Sequence, residues 1–132
     1  MSTLHRLLTN ICSERLTESK DFYTSLFDFT VQYDSDWFVQ LVSKSKQLEL
    51  GLIDRKSDLI PADFQTHPAG CYLTFVVDDA DALFAVAQKL NFATLSAPAD
   101  TFYGQRRFLL TDPNGVLIDV SSPIKAFSYT RL

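Results

Sequence analysis

The sequence predicts an α+β protein made of two βαβββ modules, and three observations lead there. Short runs of alternating apolar and polar residues recur along the chain, two stretches show helical periodicity, and the order restarts after a polar, proline-containing connection. A frame can be laid on the repeat: Phe27-Asp28-Phe29, at the exit of the first helical stretch, aligns with Leu90-Asn91-Phe92 at an offset of 63. Repeats of this length exceed most solenoid units and suit a pseudo-symmetric pair of curved sheets. The reading is one domain over 1–132, with modules at 4–53 and 70–123 and a linker at 54–69.

In the first module, Leu7 to Cys12 reads as a strand. Thr17 is placed to cap a helix, with Glu18 in its first turn favouring the positive end of the helix dipole. Phe22, Tyr23, Leu26 and Phe27 recur at helical spacing and should face a core. Three strands follow at Thr30 to Tyr33, Trp37 to Val42 and Gln47 to Ile53, with Ser43 to Lys46 as a hairpin connection. Asp54 to Ala69 holds Pro61 and Pro68, shows neither period and reads as the linker.

The second module opens with a strand at Cys71 to Val77. Asp78, with Asp81 three residues on, resembles an acidic cap for a helix through Leu83, Phe84, Ala87 and Leu90. Phe92 to Leu95, Gln105 to Thr111 and Val116 to Ser121 supply three more strands. Asp112-Pro113-Asn114-Gly115 fits a type I turn and closes the last hairpin.

Composition narrows the function classes. With 46% hydrophobic and 13% aromatic residues, the 132-residue chain has the apolar surface to fold, so disorder is not expected. Twelve basic against 16 acidic residues, scattered and netting −4, leave no basic footprint for nucleic acid. No run of eighteen apolar residues suggests a membrane span, and Met1 to Leu8 does not read as a signal peptide, so a soluble, cytoplasmic protein is expected. Cys12 and Cys71 lie in apolar strand-like runs and read as small packed hydrophobes.

Several residue runs together resemble the vicinal oxygen chelate superfamily, the group of glyoxalase I, bleomycin-resistance proteins and extradiol dioxygenases. Ser19-Lys20-Asp21-Phe22-Tyr23 with Leu26-Phe27-Asp28-Phe29 looks like the family's Ser-x-x-Phe-Tyr helix and its Leu-Gly-Phe exit, with Asp28 in place of the glycine. Tyr103-Gly104-Gln105-Arg106, Phe108, Asp112 to Gly115 and Ile118-Asp119-Val120 look like its closing hairpin. The resemblance spans roughly residues 5 to 123. It implies a curved mixed sheet around a central cavity, often completed in a homodimer.

The resemblance also implies where a metal would be held: one ligand from the first strand and one from the fourth strand of each module. Those positions are Leu8 and Glu49, then Tyr72 and Asp119. Leucine cannot coordinate, and two carboxylates without imidazole make a weak site, so no metal or other cofactor is expected; a divalent metal, if any, would use Glu49 and Asp119. His5 and His67, the only histidines, fall at no matching position and read as solvated.

Strand alternation puts Glu49 opposite the Leu48, Leu50 and Leu52 face and Asp119 opposite Ile118 and Val120. On pattern alone, this other face could be a cavity wall or simply solvated. Pairing Thr111 with Val116 across the turn places Phe108 opposite Asp119 and Arg106 on their face, where Arg106 would neutralise Asp119 or bind an anion; which of Arg106 and Arg107 points there depends on that register. The equivalent count puts Phe38 and Gln40 beside Glu49, while Asn10 and Thr74 share strand faces with Leu8 and Tyr72. Trp37, Phe75 and Phe84 read as core, and Tyr72, Phe38 and Tyr103 as lining a ligand site.

Two carboxylates in one desolvated cavity call for a positive occupant, and aromatic walls favour one. The expected function is therefore a small-molecule binding protein, metal-free and akin to the drug-sequestering, antibiotic-resistance members. Its ligand would be a cationic or amphipathic aromatic molecule. The alternatives are a metal-dependent lyase, isomerase or dioxygenase of the glyoxalase type, and metal-free acid–base catalysis by Glu49 or Asp119 with Tyr72 as donor.

Overall fold

The computed structural model describes residues 2–124 and divides into two compact units, Met1–Pro68 and Ala69–Leu132. The first contains β1 (Thr9–Ser13), α1 (Leu16–Leu26), β2 (Phe29–Asp34), β3 (Phe38–Ser43) and β4 (Glu49–Asp54). The second contains β5 (Tyr72–Val76), α2 (Ala80–Lys89), β6 (Ala99–Asp100), β7 (Gln105–Thr111) and β8 (Leu117–Pro123). Each unit is a four-stranded mixed sheet with one helix, and the strand orders, β1-β4-β3-β2 and β5-β8-β7-β6, repeat one another. In both, the first strand runs parallel to the fourth, the connection that needs a crossover helix, and the remaining pairs are antiparallel.

One face of each sheet is core. In the first unit Ile11, Val39, Leu41, Leu50 and Leu52 are buried together with Phe22, Tyr23 and Leu26 of α1, three of the four positions the helical period selects. Phe22 and Tyr23 meet edge to face with ring centroids 5.0 Å apart. Burying side chains of this kind stabilises by about 1.5–3 kcal/mol each. In the second unit Phe108, Leu110, Ile118 and Val120 are buried with Ala80 and Ala87 of α2, and Phe84 meets Phe108 edge to face at 5.3 Å.

Both helices are tied at their starts to a strand serine. Ser13 of β1 accepts from the Arg15 N–H and pairs its hydroxyl with that of Ser19 at 3.2 Å, while Ser122 of β8 accepts from the Ala80 N–H. The caps differ from the expected ones. Thr17 lies inside α1, whose N-cap is Arg15 with no side-chain hydrogen bond; Asp79, not Asp78, caps α2 by accepting from the Ala82 N–H at 3.1 Å.

Three further expectations need correction. Phe92 to Leu95 forms no regular strand: Thr94 bridges Leu110, and the ladder partner of β7 is the two-residue β6. Pro98 has no N–H to donate, and the Ser96 hydroxyl takes the Leu109 N–H in place of a backbone carbonyl, so the ladder is interrupted there. Trp37 is 39% exposed rather than core, its ring tilted against Phe38 at the start of β3. Cys71 is exposed, because β5 begins one residue later.

Candidate functional site

The face of each sheet turned away from its helix carries the charged groups. In the first unit the β3–β4 pairing sets Gln40 opposite Gly51 and Phe38 opposite Ile53, so both share a face with Glu49, as strand alternation predicts. Gln40 Nε2 donates to Glu49 Oε1 at 2.8 Å. The second partner lies outside the strand pattern. Arg6, ahead of β1, donates from Nε to Glu49 Oε2 (2.6 Å) and from Nη2 to Oε1 (2.5 Å), a two-pronged guanidinium–carboxylate pair. Its hydrogen bonds, followed by that of Gln40, hold the Glu49 carboxyl below its usual range despite the opposing effect of burial.

Gly51 makes room for this arrangement. A Cβ there would stand 2.1 Å from Asn10 Oδ1 and 3.0 Å from Phe38 Cε1, so only glycine lets the Asn10 side chain lie across β4. Phe38 is half-buried, with its ring 6.3 Å from Tyr33 and 5.5 Å from Trp37. Near this aromatic group, Trp37, Lys56, Ser57, Asp58 and Leu59 line an open groove of about 390 Å³.

In the second unit the register of the last hairpin decides the site. Thr111 pairs with Leu117, so Leu109 stands opposite Asp119 and Phe108 opposite Val120. The turn closes as expected, Gly115 N–H donating to the Asp112 carbonyl at 3.1 Å, but Gly115 then takes a left-handed φ of +84° and Asp112 pairs back to Val116. This leaves a three-residue loop with a bulge glycine where the sequence suggests a four-residue one. A one-residue slip moves every side chain to the opposite face.

Arg107, not Arg106, therefore accompanies Asp119. Arg107 Nε lies 3.2 Å from Asp119 Oδ1, and Nη1 donates to the Tyr103 hydroxyl at 3.4 Å. Asp119 also accepts from Ser121 Oγ at Oδ1 (2.7 Å) and from Thr74 Oγ1 at Oδ2 (3.0 Å). Arg106 points to the helix side, donating to Asp81 of α2 and to Asp100, contacts that reinforce its positive charge. It neither neutralises Asp119 nor shares its face.

Of the expected ligand-binding residues, Phe38, Gln40 and Glu49 are thus brought together in the first unit, and Tyr103 and Asp119 in the second. Tyr72 is 55% exposed, on the same face of β5 as Thr74 and two residues before it. Arg6, Thr74, Arg107 and Ser121 complete the two clusters. Both histidines are exposed, and His67 stands 3.3 Å from Arg55 in the linker.

Leu8 offers no donor atom, and both oxygens of Glu49 and of Asp119 already accept from protein donors. Among the described residues no three of His, Cys, Asp and Glu gather in one place. Nor, among the described residues, is any helix long and apolar enough to cross a membrane.

Fold and faces define a class: two βαβββ modules, each with a partnered carboxylate on the sheet face turned away from its helix. The chain belongs to the Glyoxalase/Bleomycin resistance protein/Dioxygenase superfamily, whose model matches residues 4–120. Among solved structures it is similar to a glyoxalase/bleomycin resistance protein/dioxygenase from Nocardioides, with 18% identity over 100% of this chain and 91% of that one and a TM-score of 0.75. TnmS3, an antibiotic binding protein from Streptomyces sp. CB03234, is 26% identical over 93% of this chain and 98% of its own, with a TM-score of 0.72. Lactoylglutathione lyase from Agrobacterium tumefaciens shares the fold at 15% identity and a TM-score of 0.71, covering 92% and 96% of the two chains. No curated protein matches the sequence.

Proposed function

We propose that the chain is a metal-free small-molecule binding protein, not an enzyme, whose ligand is amphipathic and aromatic and rests against a sheet face turned away from its helix. One observation carries this: both candidate carboxylates are already satisfied by protein donors, Glu49 by Arg6 and Gln40 and Asp119 by Thr74, Ser121 and the neighbouring Arg107. Such groups have neither open coordination for a metal nor uncompensated charge to draw a cation. The demand for a positive occupant, which rests on two bare carboxylates, falls away. What is left on those faces is aromatic surface with a few fixed polar groups, the usual make-up of a small-ligand site. The likeness to an antibiotic binding protein at 26% identity supports the same reading.

Calorimetry with 2-naphthamide and 2-naphthylmethylammonium tests it. The two probes are expected to bind within about threefold of each other, and Mn²⁺, Ni²⁺ and Zn²⁺ to leave the melting temperature unchanged. A preference for the ammonium probe of about tenfold or more, lost in Asp119→Asn, would restore the cationic ligand. Stoichiometric metal that stabilises wild type but not Glu49→Ala would restore the metal-dependent alternative.

A further inference from the structure

Gln105 is 1% exposed, yet neither its Nε2 nor its Oε1 has a hydrogen-bond partner among the described residues. An unpaired buried carboxamide is costly and uncommon. Its backbone has no such deficit. The Gln105 N–H donates to Thr101 Oγ1 at 3.2 Å, and its carbonyl accepts from Thr101 N and Oγ1, both at 2.7 Å. On the preceding residue, Gly104 accepts from the Ile124 N–H at 2.9 Å. The strand start is therefore held firmly while the side chain is left with nothing to bind.

Strand alternation sends that side chain to the face of Arg107, and the register sets Arg107 opposite Ser121, two residues from Asp119. Arg107 Nε on the same face is also buried without a hydrogen bond, although it is within ion-pair distance of Asp119. The Gln105 carboxamide, a complete donor–acceptor edge beside the Arg107–Asp119 pair, is what a ligand would satisfy.

We infer that Gln105 is a specificity-determining residue, reading the donor–acceptor edge of a primary amide, lactam, imide or carboxylic acid borne by the aromatic ligand. This rests on the small-molecule reading above and names the ligand's polar edge. A carboxamide offers two N–H donors and one carbonyl acceptor, so its complement presents an acceptor beside a donor. Sites built to hydrogen-bond a ligand group discriminate strongly against analogues lacking it, because the buried partner is then left unpaired.

The test compares 2-naphthamide with methyl 2-naphthoate, an acceptor-only analogue of similar size, by calorimetry on wild type and Gln105→Met. Wild type is expected to prefer the amide by about tenfold or more, and the variant to bind both equally. Gln105→Met should also unfold at the same or a higher urea concentration, since it removes two unpaired buried polar atoms without changing shape greatly. Equal binding of the two probes by wild type overturns the role of Gln105 and leaves the small-molecule reading standing; binding of neither overturns both. A variant that keeps the preference, or unfolds at clearly lower urea, shows that the carboxamide has an internal partner and no ligand role. The wild-type comparison decides even where the variant does not fold.

Discussion

The two carboxylates occupy matching places in their modules yet are neutralised in different ways. Glu49 takes its guanidinium from Arg6, a residue outside the sheet whose side chain is 57% exposed, and holds it with two short bonds. Asp119 is served from within the sheet: Arg107 comes from the neighbouring strand, and hydroxyls from β5 and β8 complete the shell. An exposed arm can be withdrawn at little cost, whereas an in-sheet partner cannot leave without stranding a buried charge. The second module is thus the preorganised half, and it also holds the unpaired Gln105.

The largest effect should come from Arg107→Met. With Asp119 only 7% exposed and Arg107 28%, the loss is expected at about 1–3 kcal/mol by urea denaturation, below that of a fully buried pair. The double variant Arg107→Met/Asp119→Leu should recover most of it, because no charge is left unpaired. A loss no greater than for Arg6→Gln would erase the contrast between the modules.

The helix caps sharpen the same contrast. Asp79→Ala should cost about 1 kcal/mol in equilibrium unfolding, while Thr17→Ala, which removes no cap, should cost under about 0.5 kcal/mol. Equal losses would mean that α1 is capped in solution in a way its geometry does not show.

The smallest effect is also the most pH-dependent. Because Arg6 lowers the Glu49 pKa on folding, the pair contributes above the usual carboxylate range and loses its contribution as pH falls through the folded-state value. Arg6→Gln should therefore be less stable than wild type near neutrality and converge with it in acid. A gap that persists or widens at low pH contradicts this sign.

How far the sequence could be read follows from which contacts are local. Helical period identifies Phe22, Tyr23 and Leu26 as core, and strand period with a short hairpin places Gln40 beside Glu49. Arg6 escapes such reasoning because it reaches Glu49 across 43 residues from a segment without regular structure. Arg106 takes the place of Arg107 in the sequence reading for one reason, the bulge at left-handed Gly115, which shifts the pairing of β7 with β8 by one residue, so that Thr111 meets Leu117 and not Val116. A glycine closing Asp-Pro-Asn-Gly is the signal for that bulge, and weighing it points to Arg107.

The central claim, that a sheet face with an arginine-partnered acid receives an aromatic ligand, is tested most directly by titrating 2-naphthamide into ¹⁵N-labelled protein. Saturable shifts are predicted at Tyr72, Gln105, Arg107 and Asp119, on the face of the second sheet turned away from α2. Shifts confined to the groove of Trp37, Lys56 and Leu59, or no saturable shifts at all, would contradict it.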